Sequence, residues 1–88
     1  MSGAERDLKL EFVKEEIPER GIYEGYKSNE QRNGHGSLFF RDGGKYEGEW
    51  RDDKMHGFGK LYYENGKVAY EGHWENDEFS GQGRVYNS

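Results

Sequence analysis

One tripeptide occurs three times along the chain, as Tyr23-Glu24-Gly25, Tyr46-Glu47-Gly48 and Tyr70-Glu71-Gly72, at spacings of 23 and then 24 residues. A period of that length marks a repeat architecture, in which one unit cannot bury its own apolar face and must stack on its neighbours. The match extends beyond the tripeptide. Eleven and thirteen residues after each Tyr stand glycines: Gly34 and Gly36, Gly57 and Gly59, Gly81 and Gly83. Fifteen after it stands an aliphatic (Leu38, Leu61, Val85) and sixteen after it an aromatic (Phe39, Tyr62, Tyr86). Four after it stands Trp50 in the second unit and Trp74 in the third.

Within a unit the residues alternate. Tyr46, Gly48 and Trp50 interleave with Glu47 and Glu49; Gly57, Gly59, Leu61 and Tyr63 interleave with Phe58, Lys60, Tyr62 and Glu64. Period two is the signal of a half-buried strand. Polar residues from Arg51 to His56 suit a loop between the two strands, so each unit reads as a β-hairpin. Glu64-Asn65-Gly66-Lys67 reads as a tight turn with positive φ at both central positions, and Asp42-Gly43-Gly44-Lys45 serves the same role one unit earlier. The expected fold is all-β: a single-layer antiparallel meander of stacked β-hairpins. Its aromatic rings lie on the glycines of the partner strand and neighbour.

The pattern resembles the MORN repeat family, roughly Y-x-G-x-W-x-x-G-x-x-x-G-x-G-x-L-x-Y-x-x-G, from Tyr23 to Ser88. It departs at the glycine expected seven residues after each Tyr, where Glu30, Asp53 and Asp77 stand. Asp tolerates the left-handed region less well than Gly, which predicts a looser or differently shaped bend. The first unit has Lys27 at the Trp position, with Tyr26 one residue earlier, and the third reaches Ser88 before its closing turn. The expected organisation is an N-terminal extension or cap at 1–20 and a repeat array at 21–88, with units at about 23–45, 46–69 and 70–88.

Residues 1–20 read two ways. Leu8, Leu10 and Phe12 alternate with Lys9 and Glu11, which favours a strand over 8–13 pairing with 22–27 as a degenerate cap. Ser2 and Glu5 form a capping box, and Leu10, Val13 and Ile17 have helical spacing, which supports a short helix over the open end. A frayed tail is the plain alternative. Pro18 ends either element.

Composition narrows the function. A net charge of −5 disfavours nucleic acid, whose binding requires a dense cationic surface, and disfavours acidic lipid heads for the same reason. Cysteine is absent, so no disulfide or thiolate chemistry is open to the chain. No apolar run approaches the ~20 residues of a membrane-spanning helix, and Met1 to Arg20 lacks the apolar core of a signal peptide. The expected setting is cytoplasmic.

No catalytic, cofactor or metal site is expected. His35, His56 and His73 occupy three different offsets and do not converge. Glu24, Glu47 and Glu71 recur at one offset on a solvated face, without the concave pocket that acid–base work requires. The Gly-x-Gly pairs sit in strands with no helix following, unlike a dinucleotide fingerprint. Aromatics are the serious candidates. Tyr23, Tyr46, Trp50, Leu61, Tyr63, Tyr70 and Trp74 are expected to form the core and, because a single sheet has no second layer, to leave one side of the rings accessible. That stripe would receive a peptide or helix. The last strand, near Gly83 to Tyr86, would be an open edge for self-association. The resemblance implies a scaffold or adaptor in cytoskeletal, ciliary or membrane-junction assemblies. It also implies two rival readings: a peripheral module for acidic phospholipids, gathering Lys27, Lys45, Lys60, Lys67 and Arg84 on one face, or a regulatory part of a larger enzyme.

Overall fold

The computed structural model describes residues 9–87. Seven strands follow one another: β1 (Glu11–Ile17), β2 (Gly21–Ser28), β3 (Gln31–Phe40), β4 (Lys45–Arg51), β5 (Lys54–Tyr62), β6 (Val68–Glu75) and β7 (Glu78–Val85). They form one antiparallel sheet in sequence order, and among the described residues there is no helix. The extents of 49 × 29 × 16 Å are those of a slab one sheet thick with its side chains.

The N-terminal extension contributes β1, paired with β2 from Glu11↔Lys27 to Ile17↔Gly21. The strand lies further along the chain than the 8–13 expected, and the helical reading fails at Leu10, Val13 and Ile17. Val13 and Ile17 instead alternate onto the side of the sheet that packs against the core. The Ser2–Glu5 capping box lies outside the described residues. Pro18 and Glu19 form the turn, with the Arg20 amide donating to the Ile17 carbonyl (3.0 Å) and Glu19 at φ 68°. A type II turn requires positive φ at its second central position and favours Pro at the first.

Turn chemistry corrects three expectations. Each hairpin closes on two residues that both have positive φ: Asn29–Glu30, Asp52–Asp53 and Asn76–Asp77. That is the type I′ geometry, whose twist matches the flanking strands. The bend lacking the family glycine is therefore tight, and the loop expected from Arg51 to His56 shrinks to two residues. The turns between units are the looser ones. Phe40 and Gly44 bracket three residues, as do Tyr63 and Lys67, and in each loop only the glycine (Gly43, Gly66) has positive φ. The Asn65-Gly66 pair thus does not take positive φ at both positions.

The aspartates at these bends also fasten one unit to the next. The Arg32 amide donates to Asp53 Oδ1 (2.8 Å) and the Asp53 amide to the Arg32 carbonyl (3.0 Å). One unit later the Met55 amide donates to Asp77 Oδ1 (2.8 Å) and the Asp77 amide to the Met55 carbonyl (3.2 Å). A glycine could make only half of this clip. Asp tolerates left-handed backbone through its short polar side chain and adds the acceptor.

The core lies on one face. Gly25 faces Gly36, Gly48 faces Gly59 and Gly72 faces Gly83 across successive hairpins. A Cβ on Gly36, Gly59 or Gly83 would collide with the ring of Tyr23, Tyr46 or Tyr70. The paired glycines therefore make a flat bed for each tyrosine. Its hydroxyl donates to the carbonyl three residues on: Tyr26 (2.7 Å), Glu49 (2.8 Å) and His73 (2.8 Å). Each tryptophan donates back to the previous unit, Trp50 to the Gly36 carbonyl (3.1 Å) and Trp74 to the Gly59 carbonyl (3.2 Å). The rings alternate edge to face along the array, Tyr23–Trp50–Tyr46–Trp74–Tyr70, with centroids 5.0–5.4 Å apart.

Candidate interaction surface

The aromatic residues singled out in the sequence are brought together but withdrawn from solvent. Tyr23, Tyr46, Trp50, Tyr70 and Trp74 are buried within the single chain, together with Leu38 and Met55. Leu61 is half-buried and packs against them, and Tyr63 is half-buried with its hydroxyl donating to the Tyr86 carbonyl (2.7 Å). The accessible stripe expected on these rings does not form. Each tyrosine lies on glycines below; the next unit's indole covers Tyr23 and Tyr46, and Trp74 and Phe79 of its own unit cover Tyr70, so the rings shelter one another without a second layer.

Burial also removes these phenols from acid–base chemistry. It pushes Tyr23 up to about 12, mainly because the phenolate would be desolvated, with Arg32 partly offsetting it. Tyr46 is raised further for the same reason, with Glu49 and Asp77 adding to it. Both stay neutral hydrogen-bond donors across the ordinary pH range. Arg32, the one buried cation among the described residues, lies over Tyr23 and Trp50 at 5.7 and 4.9 Å from the ring centroids and 3.7 Å from Asp53 Oδ1. It is a structural strut between the first two units.

The opposite face is open and ordered in three rows across the strands. The first runs Ile22, Phe39, Lys45, Tyr62. Lys45 Nζ sits over both neighbouring rings, 5.6 Å from the Phe39 centroid and 4.9 Å from that of Tyr62. The middle row runs Lys14, Glu24, Ser37, Glu47, Lys60, Glu71, Arg84. Tyr62 and Tyr86 hydroxyls reach into it, to Glu47 (3.3 Å) and Glu71 (3.2 Å). Tyr62 is raised by burial and by that carboxylate. The third row contains Phe12 against Tyr26 (5.2 Å, edge to face), then His35 and Glu49, then Phe58 against His73 (6.0 Å, edge to face). Shallow depressions repeat on either side of Phe58. One is lined by His35, Glu47, Glu49 and Lys60, the other by Glu71, His73, Gln82 and Arg84.

Among the described residues the exposed large apolar side chains are thus Leu10 just before β1, Phe12, Ile22, Tyr26, Phe39 and Phe58 on the open face, and Phe79 and Val85 at the far end. The sequence places Phe58 in the alternation opposite Gly57 and Gly59, but it is not among the residues singled out there for partner binding. Its signal was present, because a residue out of phase with Gly57 and Gly59 must project to the other side. The glutamates do line a solvated face, alternating in part with lysine and arginine. Among the described residues no three His, Cys, Asp or Glu side chains gather as a metal site, and no helix is long and apolar enough to cross a membrane.

Single-layer stacking of hairpins, each clipped and covered by the next, defines a β-hairpin repeat protein. The family model of the MORN repeat matches residues 23–45, 46–68 and 70–86, and the chain belongs to that family. No curated protein matches the chain by sequence. MORN repeats are in general modules for protein or membrane interaction and are generally non-catalytic.

Proposed function

We propose that the protein is a non-catalytic protein-interaction module, a scaffold element that receives a peptide or helix in the aromatic-edged groove of its open face. The observation that carries this is the division of aromatic residues between faces. Tyr23, Tyr46, Tyr70 and both tryptophans are consumed by the core, whereas Phe39 and Phe58 stand exposed on the other side, flanked only by Lys45 and His73. Their rows flank the charged row. Tyr62 and Phe58 are four residues apart on β5, ~13 Å along the strand, and a helix with side chains is ~10–12 Å across. Apolar rims with a floor of alternating sign favour an amphipathic segment of mixed charge. The mixed floor disfavours an acidic membrane surface, because Glu47 and Glu71 stand beside Lys60 and Arg84.

The test is affinity capture with the tagged chain and with the double variant Phe39→Ser/Phe58→Ser. A protein partner held by the wild type should be lost by the variant while the melting temperature moves by only a few degrees. Undiminished capture by the variant, or retention on anionic vesicles in place of a protein, would overturn the reading.

A further inference from the structure

The two internal interfaces are assembled from identical parts. Each receiving unit supplies a tyrosine ring, a glycine carbonyl (Gly36, Gly59) and the backbone of the residue nine after the tyrosine (Arg32, Met55). Each delivering unit supplies a tryptophan and, three residues later, an aspartate: Trp50 with Asp53, Trp74 with Asp77. The register is the same both times, Gly34↔Trp50, Gly36↔Gly48 and Leu38↔Tyr46, then Gly57↔Trp74, Gly59↔Gly72 and Leu61↔Tyr70.

Strand β7 carries the receiving half a third time. Gly81, Gly83 and Val85 occupy the three register positions, Phe79 stands where Arg32 and Met55 stood, and Tyr70 supplies the ring. Among the described residues β7 pairs only with β6. Exposure records the difference: Arg32 and Met55 are 9% and 5% exposed against 53% for Phe79, and Leu38 is 0% exposed against 70% for Val85. The Phe79 ring lies flat on Tyr70 at 3.9 Å and presents its outer face to solvent. Arg32 is held in the same way between Tyr23 and Trp50.

We propose that the outer edge of β7 is a docking site for an extended strand from outside residues 1–88 that carries Trp followed three residues later by Asp. The strand adds antiparallel to β7. Its indole packs on Phe79 and donates to the Gly83 carbonyl, and its carboxylate accepts the Phe79 amide. A second copy of this chain does not supply such a strand. It has two tryptophans, and both Trp-x-x-Asp segments are already spent inside the array. Its first unit offers Lys27 and Glu30 at those positions, and β1 already covers the outer edge of that unit's first strand, β2. This site is separate from the open-face groove and stands or falls independently of it.

The experiment titrates the isotopically labelled full chain with a synthetic peptide copying residues 68–78, which contains Trp74 and Asp77. Amide signals of Phe79, Gly81 and Gly83 should shift and exchange more slowly. Peptides with Trp74→Ala or Asp77→Ala should bind at least about tenfold more weakly. Val85→Lys in the full chain should weaken binding at least about fivefold while leaving the melting temperature within a few degrees. Four results would overturn the proposal: no change at β7 with millimolar peptide, equal affinity for the truncated peptides, shifts at Gly57 to Leu61 that signal strand exchange inside the array, or β7 shifts that grow with chain concentration alone.

Discussion

Replacing Trp50 with alanine tests the stacking directly. The side chain is buried, packs edge to face on Tyr23 and Tyr46 at 5.3 Å from each, and donates to the Gly36 carbonyl. Truncating a buried Trp to Ala costs about 3–5 kcal/mol. The stranded carbonyl adds roughly 1 kcal/mol. The sum, about 4–6 kcal/mol, is comparable to the whole stability of a domain this size, roughly 4–13 kcal/mol at ~0.05–0.15 per residue. Because a repeat protein is held by nearest-neighbour interfaces, the loss falls between the first unit and the second. Urea unfolding followed by circular dichroism should show a midpoint lowered by about a third or more, while the fluorescence of the remaining indole, Trp74, reports the second interface separately. Trp50→Phe keeps a ring but loses the N–H and should cost roughly 1–2 kcal/mol. Adding Trp74→Ala to Trp50→Ala should leave no cooperative transition. A loss below about 1 kcal/mol for Trp50→Ala would refute the reading that these rings hold the array together.

Two further outcomes follow from the clip and from the buried phenols. Asp53→Ala removes the acceptor for the Arg32 amide and a residue suited to φ 73°, and should cost about 1–3 kcal/mol; Asp53→Asn keeps both features and should cost much less in the same urea titration. Tyr23 is neutral in the fold up to about 12, against 10.0 when unfolded, so its contribution is fully present below pH 10 and is lost as pH rises through about 12. That shift amounts to roughly 3 kcal/mol, and Tyr46 acts in the same direction. Melting temperature should therefore be flat from pH 7 to 9 and fall between pH 10 and 12. A flat profile to pH 12 would contradict the burial of these phenols.

The repeat and its strand alternation were legible in the residues, because side-chain period and glycine placement are local properties of the chain. From Tyr23 to Val85 they determined the hairpins, their order and the pairing of ring with glycine. What only the tertiary structure decided concerns where surfaces end up. The sequence placed Tyr46, Trp50, Tyr70 and Trp74 on one face, but whether their outer sides stay wet depends on how closely the next unit's indole approaches, which no local pattern encodes. The same holds for Asp53 and Asp77. As letters they depart from a glycine pattern; in space they sit within 2.8 Å of amides 21 and 22 residues away and lock the stack. Position in the chain fixed which side each residue faces, and contact between units fixed which side is covered.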